Sequence, residues 1–140
     1  MLRLKLSAPY EQVYVYISLE NPSTGQKLTI DAKVETGAAV SVIPKYVVEG
    51  LGLPSLGNCS FTMVDGTPLM TEAQMCRLSF SDEDTIDAPI YVCDSESAVA
   101  LLGMDVLRLC NFAQWHEWSD DEHSVYFEME LISEELMLTI

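Results

Sequence analysis

The sequence predicts an all-β, mostly strand chain, closed or strongly curled into a single-lobed barrel, that carries one or two short helices. Two observations lead there. Several runs alternate apolar and polar residues with period two, the spacing of a strand with one buried face. Turn-forming clusters separate those runs at short intervals, which leaves room for only short helical pieces.

The first clear run is Glu11 to Leu19, with Val13, Val15 and Ile17 on one face and Tyr14 and Tyr16 on the other. Asn21-Pro22-Ser23-Thr24-Gly25 supplies turn chemistry, and Leu28, Ile30, Ala32 and Val34 resume the alternation. This hairpin delivers Glu35 to a loop. Ala39 to Ile43 reads as another short strand, and Pro44 suits the first turn of a short helix through Val48 that ends near Gly50 or Gly52. From Phe61 a second hairpin follows, with Val64-Asp65-Gly66-Thr67 as its turn and its later strand extending towards Phe80. Ile86 to Cys93 predicts a further strand, and Ser97 to Leu102 a short helical segment. Asn111 to Trp118 and Ser124 to Leu131 form a final hairpin about the acidic turn Asp120 to Glu122, and Leu136 to Ile140 is a candidate terminal strand. No linker or internal repeat divides the chain, so residues 1–140 are expected to form one domain.

Charge narrows the function. With 22 acidic against 7 basic residues, the net charge of -15 repels phosphate backbones and anionic lipid surfaces, so nucleic acid and membrane are not expected partners. The acids are spread over several loops, the pattern of a solubilising surface. No apolar stretch approaches a membrane span, and Leu2-Arg3-Leu4-Lys5-Leu6 alternates in a way no leader peptide does, so a cytoplasmic location is expected. Cys59, Cys76, Cys93 and Cys110 lack the short paired spacing of zinc or redox sites and are expected to be buried free thiols.

The segment Val34-Glu35-Thr36-Gly37-Ala38-Ala39-Val40-Ser41-Val42-Ile43-Pro44, read with Leu101-Leu102-Gly103-Met104-Asp105, resembles the two signature elements of the retropepsin-like aspartic peptidases. The resemblance covers roughly residues 11 to 131. It implies a barrel of the retropepsin type and hydrolysis of a peptide or protein substrate by carboxylate-activated water, with no cofactor and no metal. Such chemistry uses two carboxyl groups about 3 Å apart that share one proton, because like charges so close cannot both ionise. This chain offers one loop of the type, so the resemblance implies a homodimer with one acid from each copy on a two-fold axis.

Residue by residue, the resemblance puts Glu35 at the catalytic acid, Thr36 at the hydroxyl that locks the two loops across the dimer, and Gly37 at the close backbone approach. Ala38 and Ala39 follow as substrate-facing loop positions. Val64, Asp65, Gly66 and Thr67 match the tip of a flap that closes over bound peptide. Leu101, Leu102 and Gly103 match the apolar-apolar-glycine step that threads behind the catalytic loop. The departure is Glu35, where the family has aspartate. Its extra methylene moves the carboxyl by about 1 to 1.5 Å, and a 1 Å misplacement costs about 100-fold in rate, so impaired hydrolysis is expected. The alternative is a catalytically silent peptide-binding or dimerisation module of the same fold. A small-ligand barrel would instead require a monomer with an enclosed apolar cavity.

No other acid substitutes for Glu35. Asp31 shares its strand parity but lies about 13 Å away along an extended chain, and Asp65 and Asp105 have ordinary turn or capping readings. His116-Glu117 and His123 lack the His-Glu-x-x-His helix spacing of a metal site. Trp115 and Trp118, three apart on a strand, face opposite ways, one towards the core and one partly exposed. Ser41, Ser79 and Cys110 have no histidine placed beside them and read as ordinary strand residues.

Overall fold

The computed structural model describes residues 1–6, 12–62, 66–94 and 99–132. In chain order these form β1 (Leu2–Leu6), β2 (Tyr14–Glu20), β3 (Lys27–Val34), β4 (Val42–Pro44), α1 (Lys45–Val48) running into a 3-10 turn at Glu49–Leu51, β5 (Ser55–Thr62), β6 (Pro68–Ser79), β7 (Thr85–Cys93), β8 (Leu101–Leu102), α2 (Met104–Leu107), β9 (Cys110–Ser119) and β10 (Glu122–Leu131). The mostly β architecture with two short helices is the one the alternation predicts.

A seven-stranded sheet runs β2-β3-β8-β4-β7-β6-β5, and a further pairing of β2 with β6 closes its first six strands into a ring. Closure leaves only β5 outside, paired along β6 as a hairpin. Parity sets which face of the ring is buried. Val15, Ile17 and Leu19 of β2 point inward with Ala32, Ile43, Leu78, Ile90 and Leu102, while Tyr14 and Tyr16 point to solvent. A second sheet, β1-β10-β9, is antiparallel throughout, with Leu2 opposite Met129 and Leu6 opposite Val125. Its Val125, Phe127 and Met129 are buried, and Phe127 and Met129 join the same core.

The first hairpin is fastened by the side chain of Asn21. Its Oδ1 accepts the Ser23 amide at 3.0 Å and its Nδ2 donates to the Leu51 carbonyl at 2.8 Å, which satisfies a buried amide and ties the turn to the 3-10 segment. That segment ends at Gly52, where φ of 59° is left-handed and favours glycine.

The structure corrects several sequence expectations. Leu101 and Leu102 form strand β8, wedged between β3 and β4, and the short helix starts only at Met104. A two-residue strand carries no period to read. The strand expected over Ala39 to Ile43 begins at Val42, because Ala38 to Ser41 are held by hydrogen bonds to the segment around Asp105. Neither Trp115 nor Trp118 is core: Trp115 is half-buried against Tyr126, and Trp118 is 72% exposed, since β9 is an edge strand that overhangs the core. Of the four free cysteines only Cys76 is fully buried, and burial pushes its thiol up to about 11. The expectations at Glu11, Val64, Asp65, Ser97 and Leu136 to Ile140 lie outside the described residues. Among the described residues, no helix is long and apolar enough to cross a membrane, and no three metal-ligating side chains converge.

Candidate active site

Strand β3 carries the chain to Glu35 and is pinned on both flanks as it arrives. The Val34 amide donates to the Val13 carbonyl at 2.8 Å, and the Glu35 amide donates to the Leu102 carbonyl at 2.9 Å. A tight turn follows at Thr36 and Gly37, closed by the Ala38 amide donating to the Glu35 carbonyl at 3.2 Å. One carboxylate oxygen of Glu35, Oε1, accepts the Gly37 amide at 3.2 Å. A β-carbon on residue 37 would stand 3.2 Å from that same oxygen, so glycine keeps the approach open. The other oxygen, Oε2, lies 3.3 Å from the Lys33 ammonium.

The Leu101 to Asp105 segment packs directly behind this turn. Leu101 and Leu102 run parallel to Lys33 and Val34. At Gly103 the backbone passes so close to the loop that an added β-carbon would meet the Val40 carbonyl oxygen at 2.4 Å. Two amides then donate back to the loop, Met104 to the Ala38 carbonyl at 2.8 Å and Asp105 to the Ala39 carbonyl at 3.1 Å. The Asp105 carboxylate accepts the Ser41 amide at 3.0 Å and the Ser41 hydroxyl at 2.7 Å, while Ser41 Oγ accepts the Gly103 amide at 2.9 Å. Ser41 is fully buried and every polar atom of its side chain is used.

The structure therefore brings together the sequence-predicted residues Glu35, Thr36, Gly37, Ala38 and Ala39 with Leu101, Leu102 and Gly103. Gly66 and Thr67 belong to a different element. They stand exposed at the end of the β5–β6 hairpin, where Gly66 adopts φ of 86° and the last strand pair sets Thr62 opposite Pro68. Two residues that sequence reasoning passed over prove central. Ser41 joins the loop to Asp105, and Lys33 sits on Glu35. The only sequence signal for Lys33 was its shared strand parity with Glu35.

An open groove of about 520 Å³ lies beside the turn, walled by Lys33, Glu35, Thr36, Phe112, Gln114 and Phe127 among others. The Gly37 amide first, and the Lys33 ammonium second, hold the Glu35 carboxyl below the usual carboxylate range. An ionised carboxylate so placed can take a proton from water, but it has none to give. Among the described residues lining the groove, Glu35 is the one acid.

The family model described as "gag-polyprotein putative aspartyl protease" matches residues 24–109, more than half of the chain. Among solved structures, the EIAV protease complexed with the inhibitor HBY-793 is 17% identical with a TM-score of 0.57, covering 74% of this chain and 91% of that one. A retropepsin-like aspartic protease from Rickettsia conorii is 12% identical with a TM-score of 0.51, covering 91% of this chain and 92% of its own. At such identities the likeness is one of fold. No curated protein matches the chain.

Proposed function

Because the chain belongs to the retropepsin-like aspartic protease family, in the gag-polyprotein group whose model spans residues 24–109, we propose that it acts as an aspartic endopeptidase assembled from two copies. In this reading residues 1–140 work as one domain and a peptide lies in the cleft between copies. Glu35 of each copy supplies one carboxyl group, one taking a proton from the attacking water and the other donating one to the substrate carbonyl oxygen. Thr36 and Gly37 hold the two loops together at the axis, and Leu101, Leu102 and Gly103 brace each loop from behind. The segment 64–67 covers bound peptide and excludes water in this reading.

The observation that carries this reading is the acid-bearing turn locked onto the Leu101 to Asp105 segment beside an open groove whose described lining residues include one acid, Glu35. Support for the second copy comes from β9. It is exposed along most of its length, with Phe112 and Trp118 open to solvent and Phe112 lining the same groove as Thr36. Glutamate in place of aspartate displaces both carboxyl groups, so the expected activity is low. The decisive experiment is cleavage of a degenerate peptide library from about pH 3 to pH 7 by the native chain and by Glu35→Asp, with dimerisation checked by sedimentation. A gain of about 100-fold in the aspartate variant is the expected outcome. No cleavage by a dimeric Glu35→Asp chain at any pH would leave the peptide-binding module as the better reading, which the ion-paired state of Glu35 already favours as the second choice.

A further inference from the structure

We propose that Lys33 is a positioning residue for Glu35: its ammonium is a built-in counter-ion that takes the place of the proton two facing carboxyl groups would share, and so holds back the acid half of the reaction. The inference rests on the peptidase reading and deepens it.

Lys33 and Glu35 stand two residues apart and reach the same side of the chain as β3 ends, with Nζ 3.3 Å from Oε2. The opposite oxygen, Oε1, accepts the Gly37 amide at 3.2 Å. Both carboxylate oxygens are thus engaged by groups that only donate. Protonating Glu35 weakens the pairing with both, and neither partner can accept the new proton. Lys33 is itself well placed for the role. Its backbone is paired with Tyr14 on one flank and Leu101 on the other, its amide donates to the Ala100 carbonyl at 2.8 Å, and its side chain is 26% exposed.

Among the described residues lining the groove, no other charged side chain joins the pair. From the segment leading into β2 come Gln12 and Val13, from the loop Thr36, from β9 Phe112 and Gln114, and from β10 Phe127, none of them charged. Asp31, on the same face of β3, is exposed, and the Tyr14 hydroxyl donates to Gln12. Among the described residues lining the groove, Lys33 is the one cation. When two copies face each other, two carboxylates arrive with two ammonium groups. Charge is balanced without a shared proton. Hydrolysis needs one carboxylate to remove a proton from water and one carboxyl group to deliver a proton to the substrate. Two ion-paired carboxylates retain the first capacity and lose the second until acid protonates one of them.

The test pairs a titration with an assay. The Glu35 side-chain carboxyl is followed by carbon-13 NMR against pH in the native chain, in Lys33→Met, in Lys33→Gln as a second neutral variant should the first fail to fold, and in Lys33→Arg. Peptide cleavage is measured over the same range. The expected result is a titration midpoint below the ordinary glutamate range in the native and arginine chains. Both neutral variants move it upward, while the Gly37 amide keeps part of the depression. An ion pair this open to solvent is worth a factor of about two to five in the protonation equilibrium. The upper limb of the cleavage profile moves upward with the midpoint. An unchanged Glu35 titration in folded Lys33→Met or Lys33→Gln overturns the proposal. A midpoint that moves as expected while no variant cleaves peptide supports the counter-ion role and overturns the peptidase reading instead.

Discussion

Single residues hold the loop in place, and the strictest of them is Gly103. A methyl group there would press to 2.4 Å from the Val40 carbonyl oxygen and 2.9 Å from that of Ala38, both backbone atoms of the acid-bearing loop. Gly103→Ala should therefore cost about 2 to 3 kcal/mol, read as a fall in the urea midpoint, because backbone cannot swing aside as a side-chain tip can. Loss of less than about 0.5 kcal/mol would mean the loop moves away freely. Ser41 teaches a related lesson. A serine between alanine, valine and isoleucine reads as an ordinary strand residue, yet its hydroxyl links the Asp105 carboxylate to the Gly103 amide. Nothing local marks it, since its partners are more than sixty positions away in sequence.

At the scale of elements, alternation located most strands and turn residues located most hairpins. The β9–β10 turn is a clear case. Ser119 pairs with Glu122, leaving a two-residue loop in which Asp120 and Asp121 both take positive φ, 47° and 67°. That geometry matches the right-handed twist of the strands but is costly for residues with a β-carbon. Asp121→Gly gives the preferred Asp-Gly pair and should stabilise the chain by about 0.5 to 1 kcal/mol in urea denaturation. A destabilised variant would show that the Asp121 side chain contributes more than its backbone strain costs. The elements that escaped sequence reading are those whose existence depends on a distant partner. Strand β8 is two residues long and exists through β3 and β4, and β1 was legible only as an alternation until β10 paired with it.

At the scale of the whole molecule, the net charge of -15 sets how two copies would meet. Like charge on both partners opposes association, and salt screens that repulsion over a Debye length of about 10 Å at 0.1 M. The self-association proposed above should therefore tighten roughly tenfold when salt rises from about 20 mM to about 300 mM, measured by sedimentation equilibrium. Association that weakened with salt would point to complementary charges, and not to the exposed Phe112 and Trp118 of β9, as the contact.

The sequence by itself determined which face of most strands turns inward, where the first and last hairpins bend, and that Glu35 sits in a glycine-containing loop entered from a strand. These are local properties, because strand parity and turn conformation depend on a few neighbouring residues. Only the tertiary structure decided that β2 closes on β6 into a ring, that β8 threads between β3 and β4, that β9 is left as an overhanging edge, and that the Glu35 carboxylate lies against Lys33 and Gly37. Alternation tells a strand which face to bury and not which strand to pair with. A carboxylate finds its counter-ion only once the backbone has fixed where both side chains start.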